Sequence, residues 1–350
     1  MRVLCRSTRL LCALGLLTLA GCTAAPPTRP PAPTPTAAPT TAAATQPTIG
    51  SWHALVYHAR LGMSVLVNGG PESGGAAEAP LQLWGWNGRV WRQLSGAGSL
   101  RPGEPRWRNF ASVAYDTDRG VLVVHGGLQG RGQPLDETWE WDGQTWRGFS
   151  GALPKGREGA GLAYDAARRL TVLVGGSDGQ SIRTDTWGWD GTAWRRLAEN
   201  GPSARFPGLV AYDPARSVVV FYGGHSVDGP AALGDTWLWN GQSWRRVIEQ
   251  SPPGPRVNVG GAFHNRLGQL VLVGGGSSPP TMDDMWVWNG TTWTRLPASG
   301  VPQRQAFGLA YDAARDRLVL TGGLDQPGRA ARYQDVWEWD GARFTQVRPS

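Results

Sequence analysis

Five arginines recur at one spacing. Arg108, Arg157, Arg205, Arg256 and Arg304 each stand seven residues before a Tyr or Phe that closes a short apolar run. Five acids recur beside them: Glu137, Asp185, Asp235, Asp284 and Asp335 each stand two residues before a tryptophan. A guanidinium binds a carboxylate through two parallel hydrogen bonds. Five of them could therefore form a site for an anion or a carboxylated sugar, or each could pair with its own acid. Gly50 and Gln82 occupy the two positions in the first copy of the pattern, so arginine and acid are absent together. That joint absence favours the pair. Glu158 follows Arg157 where the other copies have Asn109, Phe206, Val257 and Gln305. Beside an arginine it fits a general acid or base of the kind sugar mutarotation needs; a solvated or salt-bridged glutamate is the plainer reading.

The elements that must position these groups repeat as well. A glycine pair occurs six times, at Gly69-Gly70, Gly126-Gly127, Gly175-Gly176, Gly223-Gly224, Gly274-Gly275 and Gly322-Gly323. A tryptophan phrase follows each pair, as in DTWLWNGQSWRR at 235–246, with Phe344 replacing the third tryptophan in the last copy. The period is about 50 residues, the spacing of a repeat array. Each copy holds four strand signals: an apolar run, a β-branched run ending at Gly-Gly, an alternating Trp-x-Trp run, and a return strand. Asn87-Gly88, Asp142-Gly143, Asp190-Gly191, Asn240-Gly241, Asn289-Gly290 and Asp340-Gly341 predict type I′ hairpins between the last two strands. A four-stranded unit cannot bury both faces alone, so the tryptophans are expected to wedge each unit against the next.

These marks resemble the kelch repeat over the whole of residues 50–350, and the resemblance extends to the propeller domain of galactose oxidase. It implies an all-β fold, a six-bladed β-propeller of four-stranded antiparallel kelch-type blades. It further implies that the first strand of each blade is innermost and that the five arginines surround one end of the central channel. The first blade is expected to start with its own inner strand near 52–57 and the last to end with its own outer strand at 344–347, with no strand shared. The galactose oxidase copper ligands have no counterpart here. The histidines (His53, His58, His125, His225 and His264) lack ligand spacing, so no metal and no cofactor is expected.

Kelch propellers serve as enzymes, receptors and scaffolds alike, so function must come from sites. The segments after each Gly-Gly differ freely and share the arginine end with the loops between blades. Their chemically capable members are Asp178, Arg183, His225, Asp228, Asp325 and Arg329. With the five arginines they form the candidate binding set, and Glu158 is the candidate catalytic residue. The expectation is a monomeric, non-catalytic module that binds a protein or a glycan. The alternatives are a sugar-modifying enzyme of mutarotase or lyase type acting on an acidic sugar, and a structural scaffold of the envelope.

The N-terminus carries Arg2, Arg6 and Arg9 before an apolar run from Leu10 to Ala20, the layout of a secretory signal at 1–22. Leu19-Ala20-Gly21-Cys22 resembles the bacterial lipobox, which implies acylation of Cys22 and attachment to the extracytoplasmic face of a membrane. Cys5 and Cys12 lie within the signal, which leaves no second thiol for a disulfide. Residues 23–49, almost entirely Pro, Thr and Ala, read as a tether. Of the formal charge of +7, four arginines (2, 6, 9 and 29) precede residue 50, leaving about +3 for the propeller. No basic run or nucleic-acid motif is present, so nucleic acid is not an expected partner.

Overall fold

The computed structural model describes residues 46–49, 52–68, 79–130, 132–150, 154–226, 232–248, 252–276, 282–297, 299–325 and 332–348. They form six antiparallel sheets arranged as a β-propeller, and among the described residues there is no helix. Five sheets have four strands in chain order. The fourth blade adds a short pair, Arg205–Phe206 against His225–Ser226.

The innermost strands are Ala54–His58, Ser112–Asp116, Gly161–Asp165, Leu209–Asp213, Gly260–His264 and Gly308–Asp312. Together they line an axial cavity of about 570 Å³. Its wall is aliphatic, with Tyr57, Tyr115, Tyr164, Tyr212, Phe263 and Tyr311 near the end remote from the arginines. The second strands are buried on both faces; Leu170–Val174 has no exposed residue at all. That is why they read as continuous β-branched runs rather than alternating ones.

The second tryptophan of each phrase is the wedge. Trp141 packs on Val65, Val67 and Leu83 of the first blade, Trp189 on Ala114 and Val123 of the second, and Trp239 on Ala163 and Val172 of the third. Trp288 and Trp339 repeat the contact against the fourth and fifth blades. Trp86 completes the ring by packing on Ala310 and Val319 of the sixth. A ring that buries roughly 150–250 Å² contributes about 4–6 kcal/mol of transfer free energy as an upper figure. The hairpin tryptophans add hydrogen bonds to the preceding blade: Trp146 Nε1 donates to Ser95 Oγ at 2.9 Å and Trp244 Nε1 to Thr186 Oγ1 at 2.8 Å.

Closure needs no shared strand. The first blade begins with its own inner strand Ala54–His58 and the sixth ends with its own outer strand Phe344–Val347. The seam is sealed by Trp86 and by Ile49, whose backbone N–H donates to Gln334 Oε1 and whose carbonyl accepts from Gln334 Nε2, both at 2.7 Å. The Gly308 N–H also donates to His53 Nε2 at 3.0 Å across the same seam.

The hairpins differ from the type I′ expectation. In all six, glycine alone takes a positive φ, between +95° and +104°, whereas type I′ needs two such residues. The loops have four residues, closed by cross-strand pairs such as Trp239 with Trp244. The Asn or Asp side chain stabilises the turn instead. Asn240 Oδ1 accepts the N–H groups of Gln242 and Ser243 at 2.9 Å, and Asp142 Oδ1 those of Gln144 and Thr145 at 2.9 and 2.8 Å. An acceptor oxygen is all this turn requires, so Asn and Asp alternate freely among the copies.

Candidate functional site

The five arginines are built into the blades. Each is 0–2 % exposed and makes the same three sets of hydrogen bonds. In the fifth blade Arg256 Nε donates to the Gly254 carbonyl at 3.4 Å, and Nη1 to the Gly274 carbonyl at 3.0 Å and Asp284 at 2.8 Å. The sixth repeats it with Pro302, Gly322 and Asp335 at 3.2, 3.0 and 2.7 Å. Arg108 pairs with Glu137 at 2.9 Å, Arg157 with Asp185 at 2.7 Å, and Arg205 with Asp235. Every acid also accepts the indole N–H of the tryptophan two residues on, at 2.7–2.8 Å. One guanidinium thus joins the start of the first strand, the end of the second and the start of the third. In the first blade Gln82 Oε1 accepts the Trp84 indole at 3.2 Å, which preserves only the tryptophan half of the arrangement.

The glycine pairs make room for this joint. Gly126 and Gly127 have φ of +66° and +90°, and a Cβ on Gly126 would collide with the Arg157 carbonyl oxygen of the next blade. That carbonyl accepts the Gly127 N–H at 3.0 Å; Gly224 with Arg256 and Gly275 with Arg304 do the same at 3.0 and 3.2 Å. Side chain and backbone of each such arginine therefore act on two different blades.

The channel mouth at this end is formed by the two residues after each arginine. Asn109, Glu158, Phe206, Val257 and Gln305 each bridge to the residue that follows a glycine pair. The next position takes a left-handed φ in five blades: Trp52 +63°, Phe110 +56°, Gly159 +62°, Asn258 +55° and Ala306 +56°. For the non-glycine residues this is an unfavourable conformation. It is held by hydrogen bonds between neighbouring blades, with the Phe110 N–H donating to Trp52 O at 3.3 Å, Gly159 to Phe110 O at 3.0 Å and Ala306 to Asn258 O at 3.1 Å.

A partly exposed patch results. The Trp52 and Phe110 rings stack with centroids 4.5 Å apart and planes at 24°. Glu158 follows in the next blade. It is half-buried, its carboxyl forms no hydrogen bond or ion pair among the described residues, and burial pushes that carboxyl above the usual range. Phe206 lies beyond Gly159, against the exposed ring of His225 at 6.4 Å. Asn109 Oδ1 and Asn258 Oδ1 are buried without a hydrogen-bond partner among the described residues, although Asn258 Nδ2 donates to Gln305 at 3.1 Å. Aromatic faces and a carboxyl group can meet the C–H faces and hydroxyls of a sugar.

The structure brings Glu158 and His225 to this mouth. Asp178 and Arg183 instead pair with each other inside one loop, where Asp178 Oδ1 accepts the N–H groups of Gln180 and Ser181 at 3.0 and 2.8 Å. Burial alone would raise the Asp178 carboxyl, but the Ser181 N–H and Arg183 outweigh it and hold it down at about 2. Asp325 is half-buried beside Leu324, which bridges to Gln305. Asp228 and Arg329 lie outside the described residues. Sequence reasoning missed Trp52, Phe110 and Asn258 as site residues. Trp52 lies outside the repeated phrase, and a left-handed φ at a non-glycine residue leaves no compositional mark.

The fold and this mouth define the class: a six-bladed β-propeller with an aromatic and polar patch at one end of its channel. The solved structure of YjhT has the same fold, with a TM-score of 0.64, 13% identity, and coverage of 87% of this chain and 99% of that one. At that identity the likeness is one of fold. No family model and no curated protein matches the chain.

The pairs set the acid limit of stability. Burial would raise the carboxyls of Glu137, Asp185, Asp235 and Asp284, but hydrogen bonds from arginine and indole hold all four below their ordinary values. A depressed folded pKa means stability that is present above the unfolded value and lost as pH falls through the folded one. Unfolding free energy measured by urea titration should therefore be flat from about pH 7 to 5 and fall steeply below about pH 4. Removing one guanidinium leaves a buried carboxylate unpaired, at a cost of roughly 3–5 kcal/mol. Arg205→Ala should accordingly lower Tm by on the order of 10 °C in calorimetry. An unchanged or raised Tm would show that the arginines repel one another in the free protein.

Proposed function

We propose that this chain is a lipid-anchored, extracytoplasmic kelch-type propeller that binds a glycan at the arginine end of its channel. One observation carries the reading: the half-exposed Trp52–Phe110 stack lies one blade from Glu158, a carboxyl group with no protein partner among the described residues. Stacked aromatic rings present a flat apolar face suited to pyranose C–H groups, and the Glu158 carboxyl offers an acceptor for hydroxyls. The arginines do not take part, because their buried guanidiniums are already paired. Screening the purified protein on a glycan array and measuring the hits by calorimetry tests this. Trp52→Ala and Glu158→Gln should each weaken binding at least tenfold with Tm nearly unchanged. Binding to an envelope protein in place of any glycan, or hits indifferent to both substitutions, would count against the reading.

A second reading, a sugar-modifying enzyme, is favoured by the raised Glu158 carboxyl alone, since burial shifts it in the direction a general acid requires. Its weakness is that Arg157, the neighbour that would hold an acidic sugar, is turned into the blade.

The location of the molecule follows from Cys22 and the Pro/Thr/Ala tether in this proposal. Two or more acyl chains anchor a protein stably, whereas one binds only marginally. Cys22→Ser should move the protein from the membrane pellet to the soluble fraction. Unchanged fractionation would rule the anchor out.

A further inference from the structure

In four blades the hairpin tryptophan is followed directly by a cation that neither the blade joint nor the channel mouth uses. The outermost strands are Trp91–Ser95, Trp146–Phe149, Trp194–Ala198, Trp244–Val247, Trp293–Arg295 and Phe344–Val347. They hold Arg92, Arg147, Arg195, Arg196, Arg245, Arg246 and Arg295, all exposed, and no acid. The adjoining third strands show the reverse: Glu140, Asp235 and Glu338, and no cation.

Four of these arginines are equivalent. Arg92, Arg147, Arg195 and Arg245 directly follow the hairpin tryptophan in four consecutive blades, opposite Gly85, Glu140, Gly188 and Leu238. The fifth and sixth blades have Thr294 and Thr345 at the same place, so the row has a beginning and an end. None of the four forms an ion pair among the described residues. Arg147 lies over the Phe149 ring at 4.6 Å, and its cross-strand neighbour Glu140 is already bound by Arg119 and the Trp189 indole. Arg196 pairs with Glu199 at 2.9 Å and Arg246 with Asp235 at 3.5 Å; within the row, Arg195 faces the hairpin Asp190, whose carboxyl is held down first by Thr192 and the turn N–H groups and then by Arg195.

Exposed strand edges need charge to prevent edge-to-edge pairing, but either sign serves that purpose. A single sign, repeated over two thirds of the perimeter, does more: it concentrates counter-ions along a line. We propose that this outer arc is a binding track for a linear polyanion carrying phosphodiester or carboxylate groups at intervals. A flat anionic bilayer could touch only the part of the perimeter facing it, whereas a flexible chain can follow successive blades. The track lies on the rim and is independent of the glycan reading at the channel mouth.

The test uses the full-length protein in non-ionic detergent with fluorescently labelled long-chain polyphosphate, read by anisotropy across a range of NaCl. Binding should be present at low salt and weaken steeply as salt rises, as expected when several contacts each release a counter-ion. Replacing Arg92, Arg147, Arg195 and Arg245 by Gln should weaken it at least tenfold, with the near-UV circular dichroism unchanged. The same four changed to Lys should retain binding, and Arg295→Gln with Arg343→Gln, outside the arc, should alter it less than threefold. If the fourfold Gln protein fails to fold, the Arg195→Gln, Arg245→Gln double variant takes its place and should lose at least threefold. Salt-insensitive or absent polyphosphate binding, or equal binding by the Gln proteins, would overturn the proposal. So would tighter binding to phosphatidylglycerol vesicles than to polyphosphate, which would assign the arc to a membrane.

Discussion

A charge buried in protein needs a counter-charge within reach, and that constraint organises this propeller. Each of five guanidiniums lies 0–2 % exposed, held by one carboxylate and two or more backbone carbonyls. Leaving any of these unpaired would be costly, so the starts of the first and third strands and the Gly-Gly end of the second must meet at one point. The glycine pair is a consequence of that meeting, since the next blade's arginine carbonyl approaches where a Cβ would stand. So is the acid before the tryptophan, which serves guanidinium and indole together.

The tryptophans perform two different tasks within one phrase. The first of each Trp-x-Trp ties its indole to the acid of its own blade, or to Gln82 in the first blade, while the second packs on the blade before it. The hairpin tryptophan lies against the second, with centroids 5.5 Å apart for Trp239 and Trp244. Polar joint and apolar wedge thus act in different places: the former shapes a blade, the latter joins blades. Because every second tryptophan reaches backward, the ring can close through Trp86 on the sixth blade with no exchanged strand.

Rigidity of this kind frees the positions immediately after each arginine. Their backbone is fixed by bridges and by hydrogen bonds between blades, even with a left-handed φ at Trp52, Phe110, Asn258 and Ala306. Their side chains then differ from blade to blade without loss of the joint. Variation on a fixed frame is how repeat scaffolds acquire sites. The outer strands form a second such set, where the arginine side chains are exposed and the hydrogen-bond ladder is unaffected by what those positions carry.

The period of about 50 residues, the six copies and the four strands per blade were legible in the sequence, because glycine pairs and paired tryptophans are local marks of local geometry. The arginine–acid pairing was legible too: Gly50 and Gln82 depart together in the first copy, and buried charges must be matched in number. The turn type was not. Asn-Gly and Asp-Gly suit both a two-residue type I′ loop and the four-residue loop found here, and only the Trp239–Trp244 pairing that closes the loop distinguishes them. Nor was the channel mouth. Trp52, Phe110 and Glu158 lie in three different blades, and no spacing along the chain says that their positions are neighbours around an axis. Sequence order determines what lies next to what within a blade; closure of the ring decides what lies next to what between blades.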